Sequence, residues 1–279
     1  MTIETLRRRF GRFYHSNKAF AIPVTFLILF VSMLGVISIT YYFAIERVNA
    51  GSQILKVSAA KQNMNSLEEN VLSVLWQPGS SRTMEFGDCG GKLRVQPQSN
   101  SLIVNISDNN AVVSVIFNAT VGEVVYELPY SESADTGLYL KGDSRVIVNQ
   151  NGLSLTQLYI RSGIEHPEIL LRYRLVTSWT TSGIENNQTI NNLRVYIVNL
   201  NASQNIGLIG EVPLRISCSN VETIVRSYNV SYQTTSITVA ASLGETQGQV
   251  AVPISSDNNG AIINVELVIC NVAVERWVR

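Results

Sequence analysis

Charge is scarce in this sequence. Lys, Arg, Asp and Glu make up 15% of 279 residues, against roughly 25% in an ordinary soluble domain. Because 46% of the residues are apolar, the chain is not disordered, a state that needs low hydropathy and high charge. The 21 bases balance 21 acids, which excludes a globally basic nucleic-acid binder. Glycine and proline, 18 and 7, are too few for a collagen-like or elastic repeat. Histidine occurs only at His15 and His166. A catalytic triad beyond the N-terminal region would rest on His166 alone, and no G-x-S-x-G elbow accompanies it. Neither C-x-x-C nor H-E-x-x-H occurs, so a zinc site has no support. The run Gly87–Lys92 (GDCGGK) misses the spacing of a phosphate loop, and its glycines read as turn residues. Asp257-Asn258-Asn259-Gly260 lacks the closing Glu of a calcium loop. No carboxylate pair stands out for glycoside hydrolysis. We expect no enzyme, no cofactor and no metal.

The charges that exist are unevenly placed. Residues 1–18 carry Arg7, Arg8, Arg9, Arg12 and Lys18 against Glu4 alone, a basic tip on a mildly acidic body. From Ala19 to Ile45 there follow 27 residues without a charge. As a helix they would reach about 40 Å, enough to cross a hydrocarbon core of about 30 Å. A buried helix of a soluble protein is the alternative, but nothing else in the chain could wrap a helix apolar on all sides. A cleaved secretory signal has a shorter apolar core, about 7–15 residues. Tyr41, Tyr42 and Phe43 resemble an interfacial aromatic belt. We read 19–45 as a retained transmembrane helix behind a cytoplasmic leader, 1–18. The basic side stays in the cytoplasm, so residues beyond about 46 are expected outside the cell membrane. Arg7-Arg8-Arg9-Phe10 fits the core of a twin-arginine signal, but the following span is too apolar for one.

The helical pattern runs on beyond the span. Val57, Ala60, Met64, Leu67, Val71 and Val74 are spaced by three and four, a sustained stripe on one face. Asn63, Asn65, Glu68 and Glu69 fall off it, and Pro78-Gly79 ends it. Residues 46–77 therefore read as an extracellular amphipathic helix continuous with the span, with Pro23 a candidate kink. The stripe packs either onto the chain's own following domain or against copies of itself.

From about Arg82 the period becomes two. Short runs rich in Val and Ile, such as Leu102–Ile106, Ile169–Val176, Leu193–Leu200, Val212–Ile216 and Ile262–Val274, are separated by turn formers. About a dozen strands without intervening helices predict an antiparallel, sandwich-like all-β region over 82–279. The polar stretch Thr180–Asn192 reads as a loop between two modules, 82–178 and 193–279.

Five N-x-S/T sequons, at Asn105, Asn118, Asn187, Asn201 and Asn229, all fall beyond the span and mark candidate surface glycosylation sites. Cys89, Cys218 and Cys270 permit one disulfide in an oxidising exterior. Cys218 and Cys270 each end an apolar strand and form the favoured pair, with Cys89 an alternative partner and three free thiols the remaining possibility.

A basic tip, an apolar helix that runs on as an amphipathic spine, and a β-rich head is the plan of type IV pilins. Lys18-Ala19 followed by Phe20-Ala21-Ile22-Pro23-Val24 resembles the class III signal peptide and mature start of archaeal pilin-like proteins. Gly122–Tyr126, Asp143–Asn149 and Leu170–Tyr173 look like parts of the β heads of such proteins. By that resemblance a prepilin peptidase would cut between Ala19 and Phe20, and the freed spine would pack with itself or with other pilin-like subunits in a filament. The fifth residue after the cut is Val24, where bacterial pilins carry Glu. Three functions follow: a pilin-like structural subunit; a single-pass anchored surface protein whose β region binds envelope or carbohydrate ligands; or an anchored hydrolase, for which no site is visible.

Overall fold

The computed structural model describes residues 17–108, 113–129, 136–150, 155–232 and 234–278, with the helix side chains described from Pro23 onward. Most of the basic leader, including Arg7-Arg8-Arg9-Phe10, and the side chains of the Ala19–Phe20 processing site lie outside the described residues.

One helix, α1, spans Asn17–Val74, 58 residues with Pro23 as its single internal proline. The expected span, 19–45, and the amphipathic helix expected to continue it, 46–77, thus form one unbroken helix that ends three residues early. It is terminated by backbone chemistry. Trp76 takes a positive φ of 64° and Gly79 one of 82°, and Pro78 cannot continue the helix. The orphaned carbonyl of Val74 accepts from the Ser80 hydroxyl at 3.0 Å. A left-handed residue here is usually glycine. Trp76 carries the strain, of order 1–2 kcal/mol, while its ring meets Tyr196 edge-on at 5.5 Å.

The chain divides into two compact units, 1–52 and 53–279. The second contains the last part of α1 and fourteen strands: β1 (Ser81–Phe86), β2 (Lys92–Ser107), β3 (Val113–Glu127), β4 (Tyr139–Lys141), β5 (Ile147–Asn149), β6 (Thr156–Ser162), β7 (Pro167–Tyr173), β8 (Leu175–Glu185), β9 (Gln188–Asn199), β10 (Ile206–Ile209), β11 (Val212–Val230), β12 (Ser236–Leu243), β13 (Thr246–Pro253) and β14 (Ala261–Arg276). A six-stranded sheet has the order β1-β11-β14-β9-β8-β5. An eight-stranded sheet has the order β13-β12-β2-β3-β7-β6-β4, with β10 also pairing β2.

Three expectations are corrected. The region is not wholly antiparallel: β14 runs parallel to β9, and β5 parallel to β8. Thr180–Asn192 is not a loop but most of a β8–β9 hairpin, turned by Asn186 and Asn187 at positive φ, a conformation that asparagine tolerates. Strands from 82–178 and 193–279 share both sheets, so no module boundary falls between them.

Two hydrophobic clusters organise this unit. In one, both sheets contribute inward side chains such as Leu102, Val104, Val195, Val239 and Val265. The other forms around α1 and includes Leu93, Tyr126, Leu158, Leu171, Leu214, Cys270 and Val274. Strand β14 serves both: Ile263, Val265, Leu267 and Ile269 enter the first, and Cys270, Val272 and Val274 enter the second from alternate positions.

The helix stripe is filled from within the chain. Val57, Ala60, Met64, Leu67, Val71 and Val74 are all buried in the cluster around α1. Of the two readings of the stripe, packing onto the chain's own domain is the one found, and these residues are not open to copies. Glu68, which falls off the stripe in sequence, is also buried. Its carboxylate meets the Lys141 ammonium at 2.6 Å and accepts from the Thr156 hydroxyl.

Candidate functional site

The most unusual surface belongs to the other part of α1. Every side chain from Pro23 to Ser52 is exposed, and between Val24 and Val48 seventeen of them are large and apolar. At about 1.5 kcal/mol or more per side chain left in water, that surface carries a cost above roughly 25 kcal/mol. The entire stability of a typical domain is only about 5–15 kcal/mol, so the segment requires a cover.

The geometry limits what that cover can be. Phe26-Leu27-Ile28-Leu29-Phe30-Val31 are consecutive and all exposed, so they point to every side of the helix. A single groove would cover one stripe; this segment needs an apolar surround. Two hydroxyls within it are satisfied by the helix's own carbonyls. The Ser32 hydroxyl donates to the Leu29 carbonyl at 2.9 Å and the Thr40 hydroxyl to the Val36 carbonyl at 2.8 Å, as required where no water is present. At the far end Tyr42 donates to the Glu46 carboxylate at 3.0 Å, next to Arg47, the first base after the apolar run. The helix is long and apolar enough to cross a membrane.

Sequence reasoning placed the sequons, and the structure gives each a position. Asn118, Asn187, Asn201 and Asn229 are exposed. Asn105 is half-buried on β2 between Ala240 of β12 and Val115 of β3, with its side-chain oxygen buried and without a hydrogen-bond partner. Cys218 and Cys270 are brought together with their thiols 3.5 Å apart. Cys89 sits elsewhere, accepting from the Asn63 amide at 3.2 Å, and all three are free thiols.

The glycines of GDCGGK serve a turn and a close approach. Gly90 has φ of +73°, and a Cβ on Gly91 would lie 2.1 Å from the Glu127 carbonyl oxygen. The Gly91 amide donates to the Tyr126 hydroxyl at 2.9 Å, and burial pushes that phenol up to about 12.

A recess of about 500 Å³ lies on the six-stranded sheet, lined by Ser178, Thr180, Asn192, Arg194, Asn264 and Glu266 among others. Sequence reasoning missed it, because these are the ordinary solvent-side positions of alternating strands. Its polar groups engage one another. Arg194 pairs with Glu266 at 2.6 Å, Asn264 donates to Asn192 at 3.2 Å, and Ser227 donates to Asn264 at 2.8 Å. No nucleophile is poised against a base there. Among the described residues no three His, Cys, Asp or Glu side chains cluster so as to hold a metal ion.

No relative speaks for the chain. No family model matches it, and neither a curated protein nor a solved structure is similar to it. Function therefore has to be argued from the chain's own surfaces, of which the uncovered helix segment is the most demanding.

Proposed function

We propose that this protein is a membrane-anchored surface protein on the type IV pilin plan, with residues 19–45 as its transmembrane and assembly helix and the β region as an extracellular head. The observation that carries the reading is the contrast along one helix. From Val57 onward its apolar stripe is filled by the chain's own strands, while from Pro23 to Ser52 no side chain is covered. The lower segment is apolar on all sides, as a bilayer or a bundle of like helices requires. Arg7, Arg8, Arg9, Arg12 and Lys18 before it hold the N-terminus in the cytoplasm, and the sequons on the other side agree with an exterior head.

In this reading a prepilin peptidase cuts between Ala19 and Phe20. The apolar segments of neighbouring subunits then replace lipid as one another's cover, building an open helical assembly. The contact between subunits is confined to the part of α1 below Gln53, because Val57–Val74 is already occupied. That occupation favours a second reading, a single-pass anchored monomer whose head binds envelope or carbohydrate ligands. N-terminal sequencing of protein from native membranes separates the two. A mature start at Phe20, lost together with filaments when Ala19 is replaced by a bulky residue, supports the subunit. An intact leader supports the anchor and overturns processing.

A further inference from the structure

Cys218 on β11 and Cys270 on β14 occupy neighbouring antiparallel strands but do not face each other. Cys218 pairs with Val272, and Cys270 with Val221. Diagonal positions in a regular ladder lie about 7–8 Å apart, beyond the usual Cα separation of a disulfide, about 4.4–6.8 Å. Here the register slips between Cys218 and Asn220, so that Ser219 is an extra residue, a β-bulge. The two thiols meet across that bulge at 3.5 Å, both buried. The bulged strand also receives the chain as it leaves α1: the Gly79 amide donates to the Cys218 carbonyl at 2.9 Å, and the Cys218 amide to the Ser80 carbonyl at 3.0 Å.

We infer that Cys218 and Cys270 are a modification site, closed as a disulfide in the exported protein to form a clasp across the bulge beneath the end of the helix. The inference rests on the exterior placement of the head, since an oxidising compartment is needed. In the reaction one cysteine thiolate attacks the disulfide of an oxidised dithiol carrier and forms a mixed disulfide. The second thiolate displaces the carrier as a thiolate. The pair loses two protons, and the carrier accepts two electrons. Burial and the neighbouring Cys218 thiol push the Cys270 thiol up to about 12, which makes it a poor nucleophile once the strands are covered. The clasp closes a segment whose ends are 52 positions apart in sequence and which contains β12 and β13. A pull transmitted along the chain cannot extend those strands while it is closed.

The test is the thiol state of the full-length protein taken from native membranes without reductant. Alkylation in denaturant, before and after reduction, is mapped by mass spectrometry. Cys89 is expected to label at once, and Cys218 and Cys270 only after reduction, with a 218–270 linked peptide lighter by two hydrogens. Protease added to intact cells reports separately on the head. A digested head with all three thiols labelled at once overturns the clasp and leaves the exterior reading intact. A protected head overturns the exterior reading, and the clasp then stands or falls with its linked peptide. In detergent, reductant is expected to lower the Tm of the wild type and of Cys89→Ser by about 5–15 °C. The same reductant leaves Cys218→Ser and Cys270→Ser unmoved; an equal shift in all four overturns the proposal.

Discussion

Glu68 of α1 and Lys141 of β4 meet 2.6 Å apart, and the same carboxylate takes the Thr156 hydroxyl of β6. Glu68 is 1% exposed and the lysine about a third. The pair thus fixes the helix to the β4–β6 ladder from a buried anchor with one end in water. Burial and the Glu68 charge hold the nearby Tyr173 phenol well above its ordinary value, so it stays neutral beside the anchor.

Removing that anchor takes away the buried acceptor of the Thr156 hydroxyl and the nearer of the two carboxylates around Lys141, the other being Glu69 at 3.6 Å. Glu68→Ala is expected to cost about 2–4 kcal/mol, and Glu68→Gln less, because an amide oxygen still accepts from Thr156. Urea unfolding of the full chain in detergent, followed by Trp fluorescence, checks the order. Equal losses in both variants would place the contribution in the carboxylate charge rather than in the acceptor oxygen or the side-chain volume.

Acid sensitivity centres on Asp143. Hydrogen bonds from Arg145, at 2.6 and 3.0 Å, and the charge of the fully buried Arg174 at 2.7 Å hold its carboxyl well below the usual carboxylate range. In the unfolded chain it titrates near 3.8. A depressed folded value means stability that is present above about pH 4 and lost as pH falls through the folded pKa. Asp143→Asn is expected to be less stable at pH 7, because its ion pairs with Arg145 and Arg174 are lost, and to lose less on acidification from pH 5 to pH 2. Thermal melts of both proteins across that range decide it.

Two glycine-to-alanine changes are expected to move in opposite directions. Gly91→Ala drives a methyl group into the Glu127 carbonyl at 2.1 Å, at a cost of about 2–3 kcal/mol. Gly51→Ala meets nothing within 4 Å and gains about 0.8–1 kcal/mol of helix propensity. Circular dichroism melts of the two variants give the signs.

Membrane insertion tests the uncovered segment directly. Leu34→Arg places a charge in the middle of the apolar run, at about 2.5–3.5 kcal/mol. The double change with Phe30→Asp is expected to shift the protein from the carbonate-resistant membrane pellet to the soluble or aggregated fraction, whereas Leu72→Arg, exposed on the head-bearing part of α1, leaves it in the pellet. An unchanged pellet in the double variant would mean that 19–45 is not held by lipid.

Much of this was written in local pattern. The spacing from Val57 to Val74 gave away both the helix and its buried face, because a 3.6-residue repeat needs no knowledge of the partner. What escaped depends on residues remote in sequence. Glu68 looks solvated until Lys141 and Thr156 arrive from 73 and 88 positions away. Strand β6 has little local signature, since Leu158 and Ile160 are its only aliphatic residues and Gln157 falls at a position that reads as solvent-facing. The structure buries that glutamine, which donates to the Asp143 and Arg145 carbonyls and accepts from Arg172. The parallel β9–β14 pairing has no local signature, and the Asn186-Asn187 turn hid inside a stretch whose polarity resembled a loop. The uncovered segment was the most legible feature of all, since its composition alone distinguishes it from every other helix face in the chain.

The position of β14 has a consequence for biogenesis. It is inserted between β11 and β9, both made earlier, and it lines both hydrophobic clusters. Until it emerges, the two waiting strands present raw edges and neither cluster is sealed. Both clusters therefore close only when β14 is in place, so the β region is expected to gain its native packing as a whole, at the arrival of this strand, rather than piece by piece.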